Sequence, residues 1–169
     1  EMDFIYAPTS DFLLGGNASY TDAAYSAEYV QPTGARGVID ENSPFAPPSI
    51  YTIPERTVNI KGLQMLRIPK SKYAFYAVLT KDLMGGTVDY LLTYSWTSSI
   101  TWDDTATALE TSPDFNRADF KVTWRNADED LEIMAFVNNI QNKIGVRNMD
   151  SDGENQGFRR TITPTLPRS

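Results

Sequence analysis

The chain has no cysteine and no histidine among its 169 residues. Without cysteine there is no disulfide framework and no thiolate metal site, and without histidine the commonest metal ligand and general base is missing. Any catalysis would rest on carboxylates or hydroxyls. Long apolar runs are also absent. Nothing approaches the roughly 20 residues a transmembrane helix requires, so a membrane association would have to use strands or a surface helix. There is no basic excess either: 15 lysines and arginines face 22 aspartates and glutamates, for a formal net charge of −7. That argues against non-specific nucleic-acid binding, which depends on cations neutralising phosphates. Fixed-period repeats and low-complexity tracts are missing, and no positively charged, apolar leader precedes Glu1-Met2-Asp3.

What is present is alternation. With 41% hydrophobic residues and the length of one domain, the chain is not compositionally disordered. From Thr87 to Trp102, Val88, Tyr90, Leu92, Tyr94 and Trp96 fall on one parity, while Asp89, Thr93, Ser95 and Thr97 fall on the other. A strand sends alternate side chains to opposite faces, so this segment predicts one oily and one wet face, with Leu91 the only misfit. The alternation lasts about the 9–11 residues a tilted strand needs to cross a bilayer, and it ends in aromatics suited to a membrane interface. Ala118, Phe120, Val122 and Trp124 alternate as strictly with Arg117, Asp119, Lys121, Thr123 and Arg125. Met2–Tyr6, Phe12–Tyr20, Lys72–Leu83 and Leu131–Val137 complete about six long strands. In Lys72–Leu83 the aromatics Tyr73, Phe75 and Tyr76 occupy both parities, so its faces are not assigned.

Short turns near Pro8, Gly85 and Asp128 separate these strands from long segments at 22–68, 103–114 and 148–158. The expectation is an all-β antiparallel meander forming part of a transmembrane β-barrel, with short periplasmic turns and long extracellular loops. The prolines at 32, 44, 47, 48 and 54 oppose a helix or central strand in the longest segment. Thr161–Ser169 has the look of an approach to a further strand, which makes the chain a fragment.

Several motifs carry candidate chemistry. Asp103-Asp104 and Asp128-Glu129-Asp130 are paired carboxylates without an accompanying nucleophile, and solvated turns are the preferred reading. Asp150-Ser151-Asp152-Gly153-Glu154 opens like a calcium loop, but Phe158-Arg159-Arg160 stands where the bidentate acid belongs. Asn17-Ala18-Ser19 fits a glycosylation triplet inside a strand. No metal, no cofactor and no catalytic residue is expected. Asp89, Arg117, Asp119, Lys121, Arg125 and Glu132 are the lumen-facing candidates, able to meet a charged ligand or to pair across strands, with Asp89 and Glu132 the candidate partners for the row 117–125. Val88, Tyr90, Leu92, Tyr94, Trp96, Phe120, Val122 and Trp124 are the lipid-facing or interface candidates, and Trp102 is placed with these aromatics. Tyr29, Arg36, Asp40, Glu41, Phe45, Tyr51, Glu55 and Arg56 populate the long loop, and none has a spacing that identifies a ligand.

Two stretches resemble the barrel of TonB-dependent outer-membrane receptors. Gly62-Leu63-Gln64-Met65-Leu66-Arg67-Ile68-Pro69-Lys70-Ser71-Lys72 is similar to that family's Gly-x-x-x-x-x-x-Pro-Lys-x-Lys entry into a long strand. Asp114–Trp124, a polar turn and then Ala135-Phe136-Val137-Asn138-Asn139-Ile140 resemble its signature near the receptor C-terminus. Glu1–Tyr29 looks like an upstream hairpin, with Ala7–Asp11 as its periplasmic turn. The resemblance implies a fragment of the C-terminal part of a plugged barrel of about 22 strands in the outer membrane of a Gram-negative bacterium. Plug, TonB box and final strand are not in the chain, and no signal peptide is in it. The implied function is active uptake of a scarce nutrient (siderophore-iron, cobalamin, a saccharide or similar) with TonB-supplied energy. The implied partners are the plug and remaining strands of a parent protein, the TonB complex, outer-membrane lipid and the ligand. The rival readings are a soluble secreted β-sandwich that binds carbohydrate or acts as an adhesin, and a hydrolase, which the missing histidine and G-x-S-x-G disfavour.

Overall fold

The computed structural model describes residues 1–33, 36–39, 50–53, 56–102, 111–151 and 160–169, with side chains undescribed at 31–58 and 150–160. Among the described residues the fold is all β, with no helix. In chain order the strands begin with β1 (Met2–Thr9) and β2 (Phe12–Tyr20). The short strands β3 (Val30–Thr33), β4 (Arg36–Ile39), β5 (Ile50–Ile53) and β6 (Arg56–Asn59) follow. Then come β7 (Ser71–Leu83), β8 (Gly86–Thr97), β9 (Ile100–Thr101) and β10 (Thr111–Ser112). The chain finishes with β11 (Phe115–Asn126), β12 (Glu132–Val137), β13 (Val146–Ser151) and β14 (Arg160–Pro164).

One antiparallel sheet of six strands dominates, in the order β1-β2-β7-β8-β11-β12. Every neighbour in space is also the next long strand in sequence, which makes the sheet a meander. The sheet is open, with β1 and β12 as its edges. Because successive strands reverse, the three short turns share one end of the sheet and the long connections share the other.

Each short turn has its own local cause. Met84 and Gly85 both adopt positive φ, 53° and 66°, between the paired residues Leu83 and Gly86. Two left-handed central residues match the twist of a two-residue hairpin. At the β11–β12 turn Asn126 closes the loop twice: its Oδ1 accepts from the Leu131 amide at 3.0 Å and its Nδ2 donates to Asp130 at 2.6 Å. At the β1–β2 turn the register slips by one residue between Tyr6 and Thr9, so a bulge accommodates Pro8, which has no amide to give a ladder.

The long connections carry small ribbons. β3 pairs with β6 and β4 with β5 inside the proline-rich segment; Pro32 lies in a two-stranded ribbon, where a missing amide costs least. β9 and β10 prolong the β8–β11 hairpin. Thr161–Ser169 differs from its sequence reading, because its first part is itself a strand, β14, paired with β13. The chain then returns to β12: Asn138 and Ser169 exchange reciprocal backbone hydrogen bonds of 2.8 and 3.4 Å, the signature of an antiparallel pair.

Among the described residues no second layer covers the sheet. The buried apolar side chains among them are Ile60, Pro69, Val88 and Met149, too few and too scattered to make one core. A soluble domain normally buries the oily face of one layer against another. Here Phe75, Leu79, Leu92, Ile133 and Val137 remain exposed.

Candidate functional site

The register sorts the sheet into two faces. Cross-strand partners point the same way, so each row of partners belongs to one face. One face carries, row by row from the long-loop end, Tyr73 with Trp96; Phe4, Phe75, Tyr94 and Ala118; Tyr6, Leu14, Ala77, Leu92, Phe120 and Val137; Phe12, Leu79, Tyr90, Val122 and Ala135; and Val88, Trp124 and Ile133. Lys81 joins the last row and Asn116 the first. All eight lipid-facing candidates therefore share one face. The register also assigns β7, which the sequence left open: Tyr73, Phe75, Ala77 and Leu79 join the apolar set.

The dimensions of this face follow from strand geometry. Five rows span about 27 Å along the strands, and six strands span about 24 Å across, so the apolar surface covers roughly 600 Å². That is at the upper end of the largest patches found on soluble monomers. Aromatics concentrate toward its long-loop end, and Trp124 stands alone in the turn-end row. Tyr73 stacks on Trp96 with ring centroids 5.0 Å apart and lies 5.4 Å from Phe75, which in turn sits 6.1 Å from Phe4. The Trp96 Nε1 donates to Asp114 Oδ2 at 3.1 Å. At the turn end Trp124 on β11 reaches across β8 to donate to the Leu83 carbonyl at 3.0 Å, which lays the indole over Val88 and leaves that valine 3% exposed. Each indole thus has an apolar body on the sheet and a polar tip at its margin.

The opposite face holds the charges. Asp89, Arg117, Asp119, Lys121, Arg125 and Glu132 all lie on it. Most neutralise each other. Arg125 donates to Asp89 at 2.7 Å and to Glu132 at 2.8 Å, bridging β8, β11 and β12. Thr80 on β7 extends the network, its hydroxyl donating to Asp89 at 2.7 Å. Asp89 and Glu132 are the acids the sequence offered as partners for the basic row, and the geometry brings them together on one guanidinium. Arg117 departs from cross-strand pairing, binding Asp119 two residues along its own strand at 2.7 Å. Lys121 makes no ion pair among the described residues.

Other candidates fall elsewhere. Trp102 leaves the ladder that ends at Thr97; its Nε1 donates to Ser112 at 3.0 Å and Arg67 lies over its ring at 6.0 Å. It lies at the end of the β9–β10 ribbon, outside the six-stranded sheet. Tyr29 is exposed, while the side chains of the other long-loop candidates lie outside the described residues, as do Asp103-Asp104 and Asp152–Glu154. Asp128–Asp130 form an exposed turn, and no group of three potential metal ligands occurs among the described residues. The Asn17 triplet lies in β2, paired on both sides.

One residue stands out that sequence reasoning passed over. Asn139 is 1% exposed and holds the open end of the β13–β14 hairpin, where the chain enters β13 and leaves β14. Its backbone amide donates to Asp119 Oδ1 at 2.6 Å, its Nδ2 donates to the Lys143 and Leu166 carbonyls, and its Oδ1 accepts from the Lys143 amide. It also takes a φ of 54°, which asparagine tolerates better than most residues. The only available signal was its place in the Val137-Asn138-Asn139-Ile140 motif. Comparison with protein-family models, curated proteins and solved structures returned no match.

Proposed function

We propose that this chain is a wall segment of a TonB-dependent receptor barrel in the outer membrane of a Gram-negative bacterium, with the apolar face against lipid and the charged face toward the lumen. The parent protein would import a scarce nutrient with TonB-supplied energy; this segment contributes no catalysis. The observation that carries the reading is the single apolar face spanning six strands, on which nothing among the described residues packs. Tilted by about 40°, its five rows give roughly 20 Å along the membrane normal, and side-chain width extends this toward the apolar band of about 25 Å seen in such barrels. Stacked aromatics at its long-loop end, the single Trp124 at its turn end and the separation of short turns from long connections support the same reading. Sheet edges in lipid cannot stay unpaired, so β1 and β12 would close with strands of the parent protein.

A soluble sandwich would need a second sheet over Leu92 and Phe120, and none exists among the described residues. Fractionation tests the choice. The native protein should sediment with outer membranes through an alkaline carbonate wash and need detergent for release. Recovery as a monomer in detergent-free buffer would overturn the proposal.

A further inference from the structure

An apolar row crosses the charged face. Leu13, Val78, Leu91, Lys121 and Phe136 are successive cross-strand partners on β2, β7, β8, β11 and β12. Leu91, the misfit in an otherwise regular alternation, is therefore one member of a band four apolar side chains long, interrupted by a single cation. Alternation alone would put polar groups at all these positions. Around Leu91, Lys121 and Phe136 the surface sinks into a cleft of about 350 Å³, with Thr93, Asp119 and Asn138 on its walls. That volume falls in the range of small-molecule sites, as does the mixture of apolar walls with a few polar groups.

The charges in the cleft are unequal. The Asp119 carboxylate is occupied by Arg117 and by the Asn139 amide. Asp89 lies within electrostatic reach of Lys121, but its hydrogen bonds go to Thr80 and Arg125. The ammonium of Lys121 keeps its three donors free among the described residues, beside two oily side chains.

We propose that this cleft binds a small amphipathic anion. A carboxylate or similar head meets the Lys121 ammonium, and an apolar or aromatic body lies along Leu91 and Phe136. Electrostatics orient the molecule, and burial of the apolar body supplies the larger part of its affinity. The site goes beyond the barrel reading, which allows a charged ligand on this face without saying where or of what kind, and it does not depend on the opposite face meeting lipid.

Naphthalene-2-carboxylate is the probe, titrated into the folded protein and followed by backbone amide shifts, in micelles or in plain buffer if no detergent is needed. The expected result is saturable shifts confined to Leu91, Thr93, Lys121 and Phe136. The neutral naphthalene-2-carboxamide should bind at least tenfold more weakly, and Lys121→Met should weaken the carboxylate by the same factor. Lys61→Met, on a distant loop, should leave it unchanged, and hydrogen exchange in the β7–β8 ladder should certify that Lys121→Met is folded. Equal binding of acid and amide would refute recognition of an anion. Shifts confined to the apolar face, or none, would refute the site. So would a Lys121 that resists reductive methylation in the intact protein while Lys61 reacts, because a polypeptide segment would then fill the cleft.

Discussion

Replacing Leu92 with arginine probes the apolar face where the barrel proposal makes its largest demand. Leu92 occupies the third of five rows, flanked by Ala77 and Phe120, and is 47% exposed. Two rows on either side place it about 13 Å along the strand from each aromatic margin, or about 10 Å along the membrane normal at a tilt of about 40°. An arginine there sits near mid-bilayer and should destabilise the closed barrel by roughly 2–4 kcal/mol. At about 1.36 kcal/mol per tenfold, this is a change of about thirty- to nine-hundred-fold in the folding equilibrium. Trp96→Arg, two rows toward the loop end, should lose roughly 0–1 kcal/mol from charge burial. Thr93→Arg, on the opposite face, should lose little. The assay is reversible guanidinium unfolding of the barrel in lipid vesicles, followed by tryptophan emission. In water an exposed leucine costs little to replace, usually within about 0.5 kcal/mol. A Leu92→Arg effect that small, or one equal to that of Thr93→Arg, would refute the reasoning.

Three further outcomes follow from the geometry. Asn139→Ala removes three side-chain hydrogen bonds from a buried position and leaves partner groups unpaired, so it should cost about 2–3 kcal/mol locally. Hydrogen exchange should quicken at Lys143 and Gly145 with the β7–β8 ladder unchanged; a uniform rise would contradict a local role. The Arg125–Asp89 pair is only partly shielded, with side chains 40% and 28% exposed, so a double-mutant cycle should give a coupling of about 1 kcal/mol. A value near zero would make the pair incidental. At the β1–β2 turn the Asp11 carboxyl is held below its ordinary value of 3.8, first by the Lys81 hydrogen bond and then by that of Ser10. Its contribution is therefore full above pH 3.8 and lost as pH falls through the lowered value. Lys81→Met should bring the Asp11 titration back up toward 3.8 by NMR; an unmoved titration would remove Lys81 as the cause.

Strand parity was legible where a strand is long and central. In β8 and β11 the alternation is regular because each lies between two neighbours with one face apolar except at Asn116 and Lys81. β7 was ambiguous for a physical reason: Tyr76 points to the charged face and lies over Gly15, where a Cβ would collide with its ring. That contact depends on register, and register is set by the turns. Leu91 looked anomalous because its apolar neighbours Val78 and Phe136 are 13 and 45 positions away in sequence. Trp102 lies one residue beyond β9, outside the six-stranded sheet, and its anchor on Ser112 is a contact that the parity of β8 does not announce. Arg125 was legible as a paired cation, and the acids suggested for the basic row are the ones it meets. Asn139 was not, because a buried asparagine in a turn owes its burial to Leu166 and the returning chain, and no local pattern announces that.

Depth-dependent fluorescence quenching tests the central claim most directly, because the chain has three tryptophans in three settings. Single-tryptophan proteins, with the other two replaced by phenylalanine, are reconstituted into vesicles whose acyl chains carry bromine at different depths. Trp96 and Trp124 should be quenched most by bromine near the headgroups, while Trp102 should respond mainly to aqueous iodide. Equal protection of Trp96 and Trp124 from both quenchers would place them inside a protein core and contradict the membrane wall.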